Sequence, residues 1–182
     1  MAEKRLQGTR VLMVIAPEEF RDEELLTPQS ILSEAGARVD VASTRAGVAT
    51  GMLGATVTPN LLLADVKAQD YQAVIVVGGM GSPEYLWQEP KLHAIIQELH
   101  KNGRVIAAIC LSGAVLANAG VLAGKKATVY STPESEQALA DGKAEFVDQP
   151  VVQDGKVITA NGPEAAQHFG ETIVQELSKV KV

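Results

Sequence analysis

The stretch Arg104-Val-Ile-Ala-Ala-Ile-Cys110-Leu-Ser-Gly113-Ala-Val-Leu-Ala117 decides the fold. Its first half, Val105–Ile109, is a short unbroken apolar run, the pattern of a strand buried on both faces. After Gly113 the chain turns rich in alanine and leucine at helical spacing. Cys110 therefore falls where a strand bends sharply into a helix. Such an elbow is expected to turn the cysteine side chain toward solvent at the sheet edge. The unpaired N–H groups of the following residues would point at it. Those groups and the positive end of a helix favour a thiolate. Cys110 is also the chain's one cysteine, and a lone cysteine is often a small buried hydrophobe. Position alone leaves both readings open.

The chain has 182 residues, enough for one domain with a sizeable core. We expect a single domain over 1–182, with 1–9 a flexible N-terminal extension. Aromatic residues make up only 4%, so that core must be aliphatic. The net charge of −6 and the lack of a basic stripe argue against nucleic acid as a partner. No apolar run reaches the roughly 18 residues of a membrane span, which argues against a membrane role. The first residues carry no apolar export segment, and one cysteine forms no internal disulfide. These features lead us to expect a cytoplasmic setting.

Working outward from the elbow, Arg10–Ala16 and Ala73–Val77 read as further buried parallel strands, and Ala37–Ala42 as a shorter alternating one. Helical patterns lie between them at Asp22–Ala35, Pro90–Asn102 and Gly113–Ala119, each followed by a glycine suited to a helix C-terminus. Pro28 suggests that the first segment is a turn followed by a helix restarting at Thr27. Gly47–Pro59 reads as a hairpin excursion. Lys126–Tyr130 reads as a strand and Pro133–Asp141 as a helix. Val151–Asp154 and Lys156–Thr159 read as a hairpin turning at Asp154-Gly155, and Ala165–Val180 as a closing amphipathic helix. Alternating strands and helices imply an α/β fold with an open, doubly wound, mainly parallel sheet.

Ligands of such sheets gather at the carboxyl ends of the strands. Four loops should meet there: Ala16–Asp22, Gly78–Glu84, the Cys110 elbow and Asn161-Gly162-Pro163. Glu18 and Glu19 could move protons beside a thiol, and Arg21 could lower its pKa. The acidic residues Glu18, Glu19, Asp22, Glu23 and Glu24 also simply suit the start of a helix. The Gly78-Gly79 pair permits close backbone approach, so the Gly79 and Leu111 amides could form an oxyanion pocket. His93, His100 and His168 read as surface or boundary residues. No metal-ligand spacing occurs, and no cofactor is expected.

Several motifs combine specifically. They are the acidic loop ending strand one, Val76-Val77-Gly78-Gly79 before Ser82-Pro83-Glu84, and Ala107-Ala-Ile-Cys110. They continue with Ala117-Asn-Ala-Gly-Val-Leu-Ala-Gly-Lys-Lys-Ala-Thr128 and Ile158-Thr-Ala-Asn-Gly-Pro163. Together the chain resembles the PfpI/ThiJ family, which includes intracellular cysteine peptidases, stress proteins and a parkinsonism-associated deglycase. That family belongs to the class I glutamine amidotransferase-like superfamily. The resemblance implies a flavodoxin-like fold, Cys110 as elbow nucleophile, Gly79 and Leu111 as oxyanion donors, and a homodimer or hexamer. It places Glu84 where hexameric members reach a neighbouring subunit's site. It also exposes departures. Leu111 stands where peptidase-like members carry histidine, and Thr132 where deglycase-like members often do. A gap-free count back from Leu25 puts Arg21 at the position of the glutamate that usually meets the cysteine.

These readings lead us to expect thiol-dependent chemistry on small carbonyl or glycated compounds, of glyoxalase, deglycase or hydrolase type. An acidic residue within Glu18–Glu24 would move protons. The alternative is a non-enzymatic redox sensor or chaperone-like stress protein. Catalysis needs a proton shuttle, whereas sensing does not. Peptidase action fits least, because Leu111 replaces histidine.

Overall fold

The computed structural model describes residues 4–179. Its centre is a seven-stranded sheet built from β1 (Arg10–Val14), β3 (Arg38–Ser43), β6 (Leu61–Leu62), β7 (Ala73–Val76), β8 (Val105–Ile109), β11 (Val151–Asp154) and β12 (Val157–Ala160). The strand order is β11-β12-β8-β7-β1-β3-β6. Every pairing in it is parallel except β11 with β12, the hairpin turning at Asp154-Gly155. A small second sheet joins β2 (Glu18–Phe20), β4 (Ala49–Gly51) and β5 (Thr56–Val57), so the expected hairpin excursion is present. A third pairs β9 (Lys126–Ala127) with β10 (Glu145–Phe146).

Alternation along the strands feeds two cores. Val11 and Met13 of β1 face one side, joined by Ile75, Ala107, Ile109 and Ile158. Helices α1 (Asp22–Glu34) and α6 (Ala166–Ser178) cover that side with Leu25, Leu32, Phe169, Ile173 and Leu177. Leu12 and Val14 face the other side with Val74, Val76, Ile106 and Ala108. There α3 (Pro90–Lys101), α4 (Gly113–Asn118) and α5 (Pro133–Asp141) supply Leu92, Ile96, Leu99, Val115, Leu116 and Leu139. Each such side chain taken from water contributes about 1.5–3 kcal/mol. The short α2 (Ser82–Tyr85) caps the carboxyl end of β7.

Four expectations need correction. Residues 4–9 are not a loose extension: Leu6 is 1% exposed, its N–H donates to Ala35 O, and Arg38 N–H donates to Thr9 O. Residues 1–3 of that expected extension lie outside the described residues. Pro28 does not restart α1, which runs unbroken from Asp22 to Glu34. Pro28 is buried beside α6, where a Cβ on Gly170 would come 3.2 Å from Pro28 Cα. The strand expected over Lys126–Tyr130 ends at Ala127, after which Tyr130 N–H donates to Cys110 O. The closing helix ends at Ser178, and the expected end at Val180 lies outside the described residues.

Candidate active site

Cys110 follows β8 directly and has φ +61°, a left-handed conformation that is costly for a residue with a side chain. One turn of 3₁₀ helix over Cys110–Ser112 then leads into α4. Buried hydroxyls fix this bend. Ser112 Oγ donates to Val77 O at 2.7 Å and lies 2.7 Å from Ser82 Oγ, tying the elbow to the end of β7. Trp87 Nε1 donates to Leu111 O at 2.9 Å.

The loop after β1 closes on the same point. Arg21 N–H donates to Gly78 O, and Gly81 N–H to Glu19 O. Gly79 has φ +113°, and a Cβ there would strike Glu19 O and the Phe20–Arg21 backbone. A Cβ on Gly78 would lie 2.5 Å from Glu24 Oε1 and 2.6 Å from Cys110 Cβ. The glycine pair therefore exists because three loops converge with no room for a side chain.

The carboxyl group beside Cys110 is that of Glu24. It is 0% exposed and sits against the thiol. Oε1 accepts from Gly78 N–H at 3.0 Å, while the buried Oε2 has no hydrogen-bond partner. Burial pushes Glu24 up to about 8, against its interactions with the thiol, Gly78 N–H and Arg21. Near neutral pH this raised value favours the protonated carboxyl. Burial likewise pushes the Cys110 thiol up to about 12, and the charge of an ionised Glu24 adds to the rise. The Leu111 and Gly79 amides oppose it. While Glu24 is neutral, its share of that rise is absent. The two groups titrate as a pair.

The other expected residues take different places. Arg21 does not fill the glutamate's position. It lies at the rim of the pocket, with Nε and Nη2 forked onto Glu23 at 2.8 and 3.0 Å. Its guanidinium is paired with Glu23 and, from the pocket lining, still interacts with the charge of Cys110. Glu18 is exposed, accepting from Tyr85 OH at 2.9 Å and pairing with Arg45 at 2.8 Å, and it does not line the pocket. Glu19 is exposed with φ +56° and contributes its carbonyl to the loop junction. Thr132 caps α5 in a reciprocal box with Ser135. Glu84 is exposed on α2. Neither Thr132 nor Glu84 lines the pocket, whereas Gly79, Leu111 and Asn161 do.

The acidic loop is more than a helix start. Asp22 accepts from Leu53 N–H and Ala55 N–H, both at 2.8 Å, and pins the β4–β5 hairpin. Glu23 answers Arg21, and Glu24 serves the cysteine. The count from Leu25 missed Glu24, although a signal was there. Glu24, Pro28 and Leu32, spaced four apart, form the buried stripe of α1, and an acid on such a stripe needs a reason.

Cys110 is 7% exposed rather than open to solvent. It lies at the base of a cavity of about 640 Å³, whose lining includes Arg21, Met52, Met80, Tyr130, Ser131, Asp148, Asn161 and Glu164. No cluster of three or more metal-ligating side chains occurs among the described residues, and none of their helices is long and apolar enough to cross a membrane.

The chain is similar to known proteins in sequence and in fold. An uncharacterised protein of Methanocaldococcus jannaschii is 46% identical over 179 residues, covering 97% of this chain and 87% of the relative. A protein named deglycase from Pyrococcus abyssi is 32% identical over 152 residues, covering 84% of this chain and 90% of the relative. The crystal structure of a ThiJ/PfpI domain protein from Brachyspira murdochii superposes with a TM-score of 0.90 at 29% identity, covering 100% of both chains. A sequence model of the DJ-1/PfpI family matches residues 9–176, and the chain belongs to that family.

Proposed function

We propose that the protein is a cysteine-dependent enzyme acting on small carbonyl compounds and their adducts, with deglycase- or glyoxalase-like chemistry. The observation that carries this reading is the buried Glu24 carboxyl against Cys110, beside the Gly79 and Leu111 amides. A redox sensor needs only a thiol and donors for its oxidised form. A carboxyl that exchanges protons near neutrality is what catalysis adds. The name of the Pyrococcus relative supports the same class.

Chemically, Cys110 Sγ adds to the aldehyde carbon of a 2-oxoaldehyde as the C=O electron pair moves to oxygen. The Gly79 and Leu111 N–H groups hold that oxygen, which receives the thiol's proton through Glu24. Where the substrate is an adduct, the amine or thiol carrier leaves before this addition, taking the proton of the adduct's hydroxyl as that carbon's C=O re-forms. Glu24 in its ionised form, a minor fraction near neutrality, then takes the proton from this carbon and returns it to the neighbouring carbonyl carbon, so the first carbon is oxidised and the second reduced. Water hydrolyses the resulting thioester to a 2-hydroxy acid and frees the thiol.

Methylglyoxal consumption by wild type, Cys110→Ser and Glu24→Gln tests the reading, alongside intact mass after mild peroxide. Turnover in wild type and its loss in both variants support it. A two-oxygen mass gain with no turnover overturns it in favour of sensing. A homo-oligomer belongs to the same proposal, with exposed Glu84 facing a neighbour. Light scattering of the purified chain checks it, and a monomer would reject it.

A further inference from the structure

Trp87 is the chain's one tryptophan. It stands behind the elbow, half-buried against both cores and outside the lining of the Cys110 cavity. Three helices hold it there. Its N–H donates to Ser82 O on α2 at 3.0 Å. Its carbonyl accepts from Asn118 Nδ2, at the end of α4, at 3.1 Å and lies 2.8 Å from His93 Nε2 of α3. The indole held in this way donates from Nε1 to Leu111 O at 2.9 Å.

Two peptide planes meet at Leu111. In the first, Cys110 O accepts from Tyr130 N–H at 3.1 Å, and the Leu111 N–H on the opposite edge favours a negative sulfur. The second carries Leu111 O. Gly113 N–H also donates to that oxygen, but it belongs to the same short turn. The indole instead ties Leu111 O to a residue 24 positions away. Cys110, at φ +61°, keeps its strained conformation only while such ties over-determine it.

We propose that Trp87 is a positioning residue for Cys110: its indole N–H, by holding Leu111 O, keeps the Leu111 N–H aimed at the sulfur. The part this plays in turnover rests on the proposed function, whereas its effect on the thiol does not.

Because the chain has one tryptophan, growth on benzothienylalanine replaces Trp87 alone. The exchange puts sulfur in place of the N–H in a ring of nearly the same shape. Trp87→Phe removes the donor in a second way. The readout is the rate of Cys110 alkylation by iodoacetamide against pH. The thiolate, its proton already lost to solvent, bonds to the methylene carbon and iodide leaves. Both replacements should slow the reaction by about three- to tenfold at each pH between about 7 and 9, since one of the amide bonds to the charged sulfur is misaligned. That factor displaces the profile to higher pH by about half to one unit.

A merely structural role predicts the opposite, because a loosened elbow exposes the buried thiol and speeds alkylation. Unchanged or faster alkylation of the benzothienylalanine protein overturns the proposal. That protein keeps the packing of the indole, so its result decides even where Trp87→Phe fails to fold. Slowed alkylation with no methylglyoxal consumption by wild type sinks the proposed function alone. Consumption by wild type with alkylation unchanged by the replacement sinks this inference alone.

Discussion

The sheet carries a buried carboxyl group at each end, and the two are handled in opposite ways. At the end where the parallel strands begin, Asp40 of β3 is 7% exposed. Burial opposes its charge, but Tyr71 OH donates to Oδ2 at 2.7 Å, Arg10 Nη2 lies at 3.3 Å and Arg38 Nε at 3.5 Å. The net result holds Asp40 below its ordinary value. At the opposite end Glu24 is 0% exposed and has one amide, one thiol and an unpartnered oxygen. Burial wins there, and the group is pushed up to about 8. Asp40 lies nearer the surface than Glu24, so shallower burial and closer partners act together to separate the two. A carboxylate ringed by cations and a hydroxyl is a fixed tie between strands. A carboxyl left under-partnered beside a nucleophile keeps a proton it can give away.

The largest expected effect separates the two by function. Glu24→Gln keeps the shape and a donor but exchanges no protons, so turnover should fall about 10²–10⁴-fold, as for loss of a general acid–base group. Asp40→Asn should leave turnover within about threefold while lowering stability by roughly 1–3 kcal/mol, the usual cost of leaving buried partners unsatisfied. Steady-state rates and urea midpoints of both variants check this. Equal loss of turnover in the two would erase the distinction.

Next comes Gly78→Ala. A methyl group there meets Glu24 Oε1 and Cys110 Cβ, neither of which is free to move far. Overpacking of this kind costs about 1–3 kcal/mol. The shift should also separate acid from thiol, so turnover falls with the melting temperature. A fully active, equally stable variant would show that the loops are looser than described.

The pH dependence of stability should split by sign. Glu24's folded value lies above its unfolded one, so the folded state binds more protons between about 4.5 and 8. The stability this gives is complete below the unfolded value and is lost as pH rises through about 8, with a slope of at most about 1.4 kcal/mol per pH unit. Asp40's folded value is depressed, so its contribution is present above its unfolded value of 3.8 and is lost as pH falls through the folded one. Urea midpoints across pH should show Glu24→Gln flattening the decline between about pH 4.5 and 8, and Asp40→Asn the limb below 3.8.

The smallest effect is expected at Glu18, whose exposed tie to Tyr85 and Arg45 steadies the loop before Arg21. Glu18→Ala should slow turnover by less than about fivefold. A larger loss would restore Glu18 as the proton carrier suggested by its place in the loop.

These contrasts also show what the chain disclosed before its structure was known. Strands with one neighbourhood along their whole length were legible: Val105–Ile109 is observed with the expected bounds, and Ala73–Val77 is one residue too long. The hairpin at Asp154-Gly155 was legible because its turn residues are local. Elements set by distant packing were not. Leu6 gave no sign that it would enter the core, and Pro28 reads as a break until Gly170 of α6 is seen lying against it. Cys110, Gly79 and Leu111 stood out because an elbow and a glycine pair are sequence-local. Glu24 did not, because an acid beside four others on one loop and helix start is distinguished only by what it faces. Helical register carried that information, whereas a residue count from Leu25 did not.

The most direct measurement is the infrared difference spectrum of wild type minus Glu24→Gln, taken across the titration. The account predicts the carbonyl stretch of a protonated carboxylic acid near about pH 6, giving way to carboxylate bands by about pH 9.5. Carboxylate bands alone near about pH 6 would mean that Glu24 is ionised beside Cys110, and the central claim would fail.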